Sequence, residues 1–449
     1  MQQLPDADGV RHPRAGFHRG ALVSSHRPER PLNEQPLDVG TACRMVLADV
    51  SPLPAEVVRL SEAVGRVLAE DVVSPLQLPP WDNSSMDGYA VRAEDVRGAS
   101  RERPKALRVV GTVAAGVSID RTVKTGEAIR IMTGGPVPRG ADSVVRVEDT
   151  DAGTETVQIV ADRDCGRNVR PAGEDLVVGA IAVARGARLG PGHIGVLASV
   201  GRADVRVHRR ARVAVLASGD ELVDLDRFDE VVAGRKIVSS NSYSVTAAVI
   251  EAGGIPVPLG VVKDDPAALR HRLAELDCDL LITTGGVSVG AFDYTRPVLA
   301  ELGLVSRFWR VRIRPGGPVG FGVLRGVPWL GLPGNPVSTL VTFELFARPA
   351  IRRLHGLATP FRRTTLVRLA EPVVTAGGLT HFLRAVVTKT ADELTATLTG
   401  PQGSGLLTSM ARADALLIVR SDRNRIEGGE TVRALMLSDD GASSSDPPA

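Results

Sequence analysis

A chain of 449 residues has room for about three ordinary domains, and 43% hydrophobic with 24% charged residues is the balance of a globular protein rather than of a fibrous or membrane one. The net charge of +2, from 54 Lys and Arg against 52 Asp and Glu, supplies no broad basic field for nucleic acid, so any anion must be held locally. Cys43, Cys165 and Cys278 never form a Cys-x-x-Cys pair, which argues against a disulfide framework or a thiolate zinc site; with no secretory leader and no apolar run near ~18 residues, the expectation is a soluble, cytoplasmic protein without nucleic-acid or membrane partners.

Residues 1–36 and the Ser/Asp/Pro tail at 438–449 lack apolar periodicity, which predicts disorder at both ends. From Leu37 to about Pro75 the spacing of Val57, Val58, Leu60, Val64, Val67 and Leu68 predicts a helical apolar stripe. Between about Leu76 and Arg209 the short apolar runs 107–110, 128–132, 143–147 and 157–161 alternate with Gly and Pro turns, the pattern of small β-rich modules. From about Arg210 to Gly356 strands near 213–217, 257–262 and 280–283 are separated by helical stretches at 244–252 and 266–276. That β-α-β rhythm predicts a multidomain α/β and β protein whose centre is a mostly parallel, doubly wound sheet, with ligands beyond the C-terminal strand ends. After Arg363, alternating runs at 365–369, 382–387, 394–399, 415–419 and 431–435 predict a small β-barrel or sandwich.

The clearest chemical signal is Thr283-Thr284-Gly285-Gly286-Val287-Ser288-Val289-Gly290, which follows an apolar strand and precedes Asp293. Its glycines let backbone N–H groups approach a ligand and its hydroxyls add donors; a tight turn that binds nothing carries the same signature. A second loop, Gly331-Leu332-Pro333-Gly334-Asn335-Pro336-Val337-Ser338, puts Asn335 at an N-cap and Pro336 at the first helical position, a start that suits a phosphate and equally suits plain capping. Asp220-Glu221, Asp264-Asp265 and Asp293 bring acids to three successive strand ends, where they can hold Mg2+, although Asp265 before Pro266 also reads as a cap. In the β-rich part, Asp82 to Ala90 mixes turn formers with Met86 and Tyr89, so Asp87 is either a site contact or an Asx-type turn; Arg130 to Pro136 and Arg170 to Asp175 read as strand ends with turns. The eight histidines form no His-Glu-x-x-His pattern.

Taken in order, Asp82 to Ala90, Arg130 to Pro136, Gly173 to Asp175, Ser218-Gly219-Asp220-Glu221-Leu222, Thr284 to Gly290 and Gly331 to Ser338 resemble the molybdopterin molybdenumtransferase family, to which the C-terminal domain of gephyrin is related. The likeness runs from about Leu37 to about Met436. It implies a homodimer of elongated subunits: a linker domain from 37–77 and 173–209, a β-rich lobe at 78–172, an α/β molybdopterin-binding domain at 210–357 and a C-terminal barrel at 358–437. It implies insertion of molybdenum from molybdate into adenylylated molybdopterin with release of AMP, assisted by Mg2+. Molybdopterin adenylyltransferase and molybdoenzymes would be further partners.

On the same likeness Glu221, Asp264 and Asp293 are the catalytic and metal-coordinating acids, and Asp87 and Thr133 reach into the partner subunit's site. Asp175, Ser240, Asn241, Thr284, Gly285, Gly286, Val287, Ser288, Gly290, Arg314, Pro333, Gly334, Asn335, Pro336 and Ser338 would contact the pterin and its phosphates. Two positions depart from the family pattern. Arg314-Pro315-Gly316-Gly317-Pro318 stands where Lys-Pro-Gly-Lys-Pro is usual, so one cation is kept as Arg and the other is lost, and Ser239 stands where an Asp is frequent. A degenerate paralogue that binds pterin as a scaffold, or an enzyme that adenylylates the pterin with ATP, are the alternative readings.

Overall fold

The computed structural model describes residues 35–114, 116, 120–286, 295–389 and 393–437. Its central sheet contains β1 (Arg212–Ser218), β2 (Ile255–Val262), β3 (Leu280–Thr284), β4 (Leu304–Phe308), β5 (Gly320–Leu324) and β6 (Val327–Leu332), in the order β2-β1-β3-β6-β5-β4. The first four in that order run parallel, and β5 and β4 add an antiparallel edge.

The period-2 alternation of β1 accounts for both faces of the sheet. Val213 and Val215 share one core with Val245 and Val249 of helix α1 (Ser240–Glu251). Ala214 and Leu216 share the other with Leu269 and Leu273 of α2 (Pro266–Ala274) and Val298 and Leu299 of α3 (Thr295–Glu301). Helix α4 (Pro336–Thr342) follows β6 and buries Val337 and Val341 on the α1 side. Helices therefore cover both faces, as the β-α-β rhythm predicts.

The last module is a barrel rather than a sandwich. Strands Thr380–Lys389, Leu394–Leu398, Thr364–Leu369, Thr431–Met436 and Ala415–Val419 are neighbours in that order, and the last pairs back with the first. In the N-terminal half, a five-stranded sheet runs in the order Ser143–Arg146, Gly88–Val91, Glu127–Ile131, Lys105–Val113, Thr156–Ile159.

The helical stripe expected over 37–75 is wrong beyond residue 48. A helix spans Val39–Ala48, with the Asp38 carboxylate accepting from the Thr41 amide at 3.0 Å and with Ala42 and Val46 buried. Pro52 and Pro54 then interrupt the pattern, and Ala55–Arg59 pairs antiparallel with Asp204–His208. Val57 and Val64 are exposed, whereas Leu68 is buried in a core against which Val58 and Leu60 pack, so the apolar residues of this segment reach a core from strand and turn positions rather than from one helical face.

The barrel shares a core with the α/β region through Phe382, Leu416 and Leu435, and a buried cation shapes a further contact. Arg384, with no exposed surface, donates to the Ser409 hydroxyl at 3.0 Å and to the carbonyls of Gln402 at 3.2 Å and Gly403 at 3.0 Å, shaping the 400–405 loop. That loop places the Ser404 carbonyl 3.1 Å from the Val337 amide at the start of α4. Replacing Arg384 with Met would remove the donor from those part-buried carbonyls and from the Ser409 hydroxyl, at a cost of about 1–3 kcal/mol. The expected outcomes are a lower thermal midpoint by calorimetry and earlier proteolytic cutting in 400–405; an unchanged midpoint would contradict this role.

Candidate functional site

β1, β2 and β3 end side by side, and beyond their C-terminal ends lies a cleft of about 550 Å3. Ser218, Gly219, Glu221 and Leu222 line it from β1, Asp264 from the β2 end, Thr284, Gly285 and Gly286 from the β3 end, and Pro333, Gly334, Asn335, Pro336 and Ser338 from the turn into α4. Ile237, Val238, Ser239, Ser240 and Asn241 close one wall, and Pro318 contributes to the rim.

The two glycine-bearing turns are fixed by contact. Gly285 and Gly286 have φ of +83° and +65°, and a Cβ would stand 2.6 Å from the Ser218 carbonyl at the first and 2.0 Å from the Thr295 hydroxyl at the second. In the other turn, the Thr339 hydroxyl donates to the Pro333 carbonyl at 2.5 Å, and the Asn241 side chain donates to the Gly334 carbonyl at 2.7 Å. Asn335 occupies the N-cap position, yet its side chain makes no capping bond and is exposed at the cleft. The helix start offers fewer donors than expected: Pro336 has no N–H, and the Val337 amide is engaged by Ser404.

Polar atoms in the cleft wall lack partners. The Ser218 and Thr284 hydroxyls and the Asn241 side-chain oxygen are buried and make no hydrogen bond among the described residues. Buried polar groups are nearly always satisfied, so three orphans around one cleft mark a surface built to meet something polar. Glu221 turns back over Gly219, whose Cβ, if present, would lie 2.8 and 2.9 Å from its carboxylate oxygens. Asp264 is half-buried and its amide donates to Asp220 at 3.2 Å. Burial first, and then the charge of Asp220, with a smaller contribution from Glu221, push the Asp264 carboxyl above the usual range. Asp265 is the cap of α2, accepting from the Ala267 and Ala268 amides at 3.3 and 3.0 Å, and has no part in the cleft lining.

No Lys, Arg or His lines the cleft among the described residues. Arg314 is exposed, lies on a short strand beside Thr380–His381 and is absent from the lining. Val287, Ser288, Gly290 and Asp293 lie outside the described residues. Among the described residues no cluster of three His, Cys, Asp or Glu side chains has the geometry of a metal site. Ser218 escaped sequence reasoning as an individual candidate, although its position as the last residue of a parallel strand is a usable signal.

Asp87, Thr133 and Asp175 are not in this lining; Asp87 and Thr133 are joined to each other on the N-terminal lobe, and Asp175 pairs with Leu78 at its base. Asp87 accepts from the Thr133 amide at 2.6 Å and its hydroxyl at 2.7 Å, and those two bonds, the amide first, hold its carboxyl below the usual range. Asp82 accepts from the Ala172 amide at 2.7 Å, and the Asp175 amide donates to the Leu78 carbonyl at 2.9 Å. Three motif segments scattered over 82–175 thus meet at one place, and Asp87 is exposed there.

Burial, and then the charges of Asp220 and Glu221, make the Asp264 charge a net cost to the folded chain, so Asp264→Asn is expected to raise the ligand-free thermal midpoint, by about 2–4 °C per kcal/mol relieved. Calorimetry at neutral pH checks this, and a lowered midpoint would mean that the site gains more from the carboxylate than the repulsion costs.

Residues 37–201 match the MoeA N-terminal region (domain I and II), 214–353 the probable molybdopterin binding domain and 367–437 the MoeA C-terminal region (domain IV). The chain is 38% identical over 380 residues to molybdopterin molybdenumtransferase 2 of Mycobacterium tuberculosis, covering 83% of this chain and 92% of the relative. It is 35% identical over 416 residues to molybdopterin molybdenumtransferase of Bacillus subtilis, covering 91% and 96%. The solved molybdopterin biosynthesis moeA protein of Pyrococcus horikoshii superimposes with a TM-score of 0.78 at 28% identity, over 90% of this chain and all of that one. With matched regions running from residue 37 to residue 437 and the cleft formed within the second of them, the chain belongs to the molybdopterin molybdenumtransferase family.

Proposed function

We infer that this chain is a molybdopterin molybdenumtransferase, which inserts molybdenum from molybdate into adenylylated molybdopterin and releases AMP in the cytoplasm. The observation that carries the reading is the set of unsatisfied Ser218, Asn241 and Thr284 polar atoms facing a cleft that also holds Glu221 and Asp264. Hydroxyls and glycine-turn amides suit pterin and phosphate oxygens, which are neutral or anionic acceptors. The three free cysteines fit a reducing compartment.

Both substrates are anions, and the described lining opposes them with two carboxylates and no basic side chain. A hard divalent cation resolves that conflict, because Glu221 and Asp264 are oxygen donors and the crowding of Asp264 is relieved by positive charge. Mg2+ held by Glu221 and Asp264, with Asp293 as the third acid implied by the family, would neutralise anhydride oxygens. The protein's own groups do the positioning. The Gly285–Gly286 turn and the Pro333 to Ser338 turn receive the pterin and its phosphates, Asn241 holds the second turn in place, and Ser240 and Ser338 contribute hydroxyls at the wall.

The expected result with purified full-length protein is AMP release from adenylylated molybdopterin that depends on molybdate and needs no ATP. Glu221→Ala should lower that rate by about a hundredfold or more. Release that equals the Glu221→Ala background would leave a pterin-binding scaffold, and a requirement for ATP would indicate adenylyl transfer to the pterin.

We further propose a homodimer in which Asp87 and Thr133 complete the partner's cleft, with pterin-adenylylating enzyme and molybdoenzymes as the flanking partners. The support is that Asp87 is exposed and held in one orientation by two bonds from Thr133, yet is absent from the cleft of its own chain. Mixing inactive Asp87→Ala and Glu221→Ala proteins under exchange conditions should then restore about a quarter of the wild-type sites, since random pairing gives half heterodimers with one intact site each. No recovery on mixing, with subunit exchange verified, would contradict a shared site.

A further inference from the structure

The edge of the central sheet opposite the cleft holds a second cavity. It lies just before β1 and β2, where Arg210 and Gly253 precede the strands, and has a volume of about 180 Å3. Arg66, Arg188, Arg210 and Arg352 line it together with His208 and His355, drawn from the segments flanking the N-terminal lobe and from the last helix of the α/β region.

The charge there is unbalanced. The single acid in the lining, Glu251, already accepts from Arg348 at 3.4 Å and Arg362 at 2.6 Å, both outside the cavity. Arg66 is paired with Glu56 and also donates to the His208 carbonyl at 2.9 Å. Arg188, Arg210 and Arg352 have no ion pair among the described residues, and the Arg352 Nε is fully buried without any hydrogen-bond partner. Burial, followed by the charges of Arg348, Arg188 and Arg362, weakens the hold of Arg352 on its own proton. A capping role explains part of this, because Arg352 lies in the last turn of the helix Arg348–Leu354, where cations are favoured. It does not explain three further guanidinium groups around the same space.

His355 fits the same purpose. Burial first, and then Arg66, Arg210 and Arg352, push its ring down to about 4, so it is neutral at neutral pH. The Ala211 amide donates to its Nε2 at 2.9 Å, which leaves the proton on Nδ1, beside Gly253, where a Cβ would come within 3.5 Å. The cavity therefore offers three guanidinium groups without an ion pair among the described residues, a fourth shared with Glu56, and a neutral N–H donor around a space of about 180 Å3, a setting that suits a small tetrahedral oxyanion.

We propose that this cavity binds a doubly charged tetrahedral oxyanion, either the free ion or the phosphate of a small monoester, and that the bound anion ties the segments flanking the lobe to the back of the α/β region. Arginine presents the geometry for such an ion, and its charge cancels the repulsion among groups that come from positions 66, 188, 210 and 352.

The test uses full-length protein in chloride buffer at constant ionic strength, titrated with inorganic phosphate or glycerol 3-phosphate and followed by calorimetric binding and thermal midpoint. One saturable site per chain and a midpoint that rises with phosphate are expected. Arg188→Gln, Arg210→Gln and Arg352→Gln should each weaken binding about tenfold or more, while the midpoint in chloride stays level or rises because repulsion falls. Since Arg188 and Arg210 are exposed, their variants keep the test decisive if Arg352→Gln does not fold. Similar affinity for both probes supports the monoester form, and phosphate alone supports the free ion. The proposal is overturned if binding is not saturable, if all three variants bind as wild type does, or if Thr284→Val in the cleft abolishes the phosphate site.

Discussion

The cleft exists because the turn after β3 cannot carry side chains. Gly285 presses on the Ser218 carbonyl and Gly286 on the Thr295 hydroxyl, so the ends of β1 and β3 and the start of α3 approach more closely than any Cβ allows. That approach sets the positions of the Ser218 and Thr284 hydroxyls, which line the cleft with no partner among the described residues. Every other element of the site is arranged around this contact: Asn241 and Thr339 fix the neighbouring turn, and the acids stand at the ends of β1 and β2.

The two edges of one sheet carry opposite electrostatics. At the C-terminal edge, Asp220, Glu221 and Asp264 crowd one another without a basic side chain in the cleft lining. At the N-terminal edge, four arginines crowd one another around a single acid already engaged elsewhere. Neither arrangement helps the ligand-free fold, and both are kept at positions where a counter-charge could enter.

Much of this architecture is legible in the sequence because it rests on local patterns. The β-α-β rhythm after Arg210, the glycine turn at 285–286 and the Pro-bearing start of α4 each follow from a short stretch of chain. Segment 55–68 misleads because Val57, Val58 and Val64 fit a helical spacing, while Pro52, Pro54 and a strand partner 150 residues away decide otherwise. The second cavity, before β1 and β2, leaves no trace in any motif, since its arginines are separated by more than a hundred residues in places and meet only after folding. Asp265 shows the limit of residue type as a guide: it caps α2, and its neighbour Asp264 faces the cleft.

The amide of Val337 has two claimants. It is the donor that a helix start would aim at an anion, and it is held by Ser404 in a loop anchored on Arg384. A phosphate that recruited this amide would have to displace the Ser404 carbonyl, and undocking of the loop would release the amide for phosphate. Thermodynamic reciprocity then makes barrel docking and capture of a phosphate by this amide antagonistic, so a module that lends no side chain to the described cleft lining would still bear on how firmly an anion is held at the start of α4.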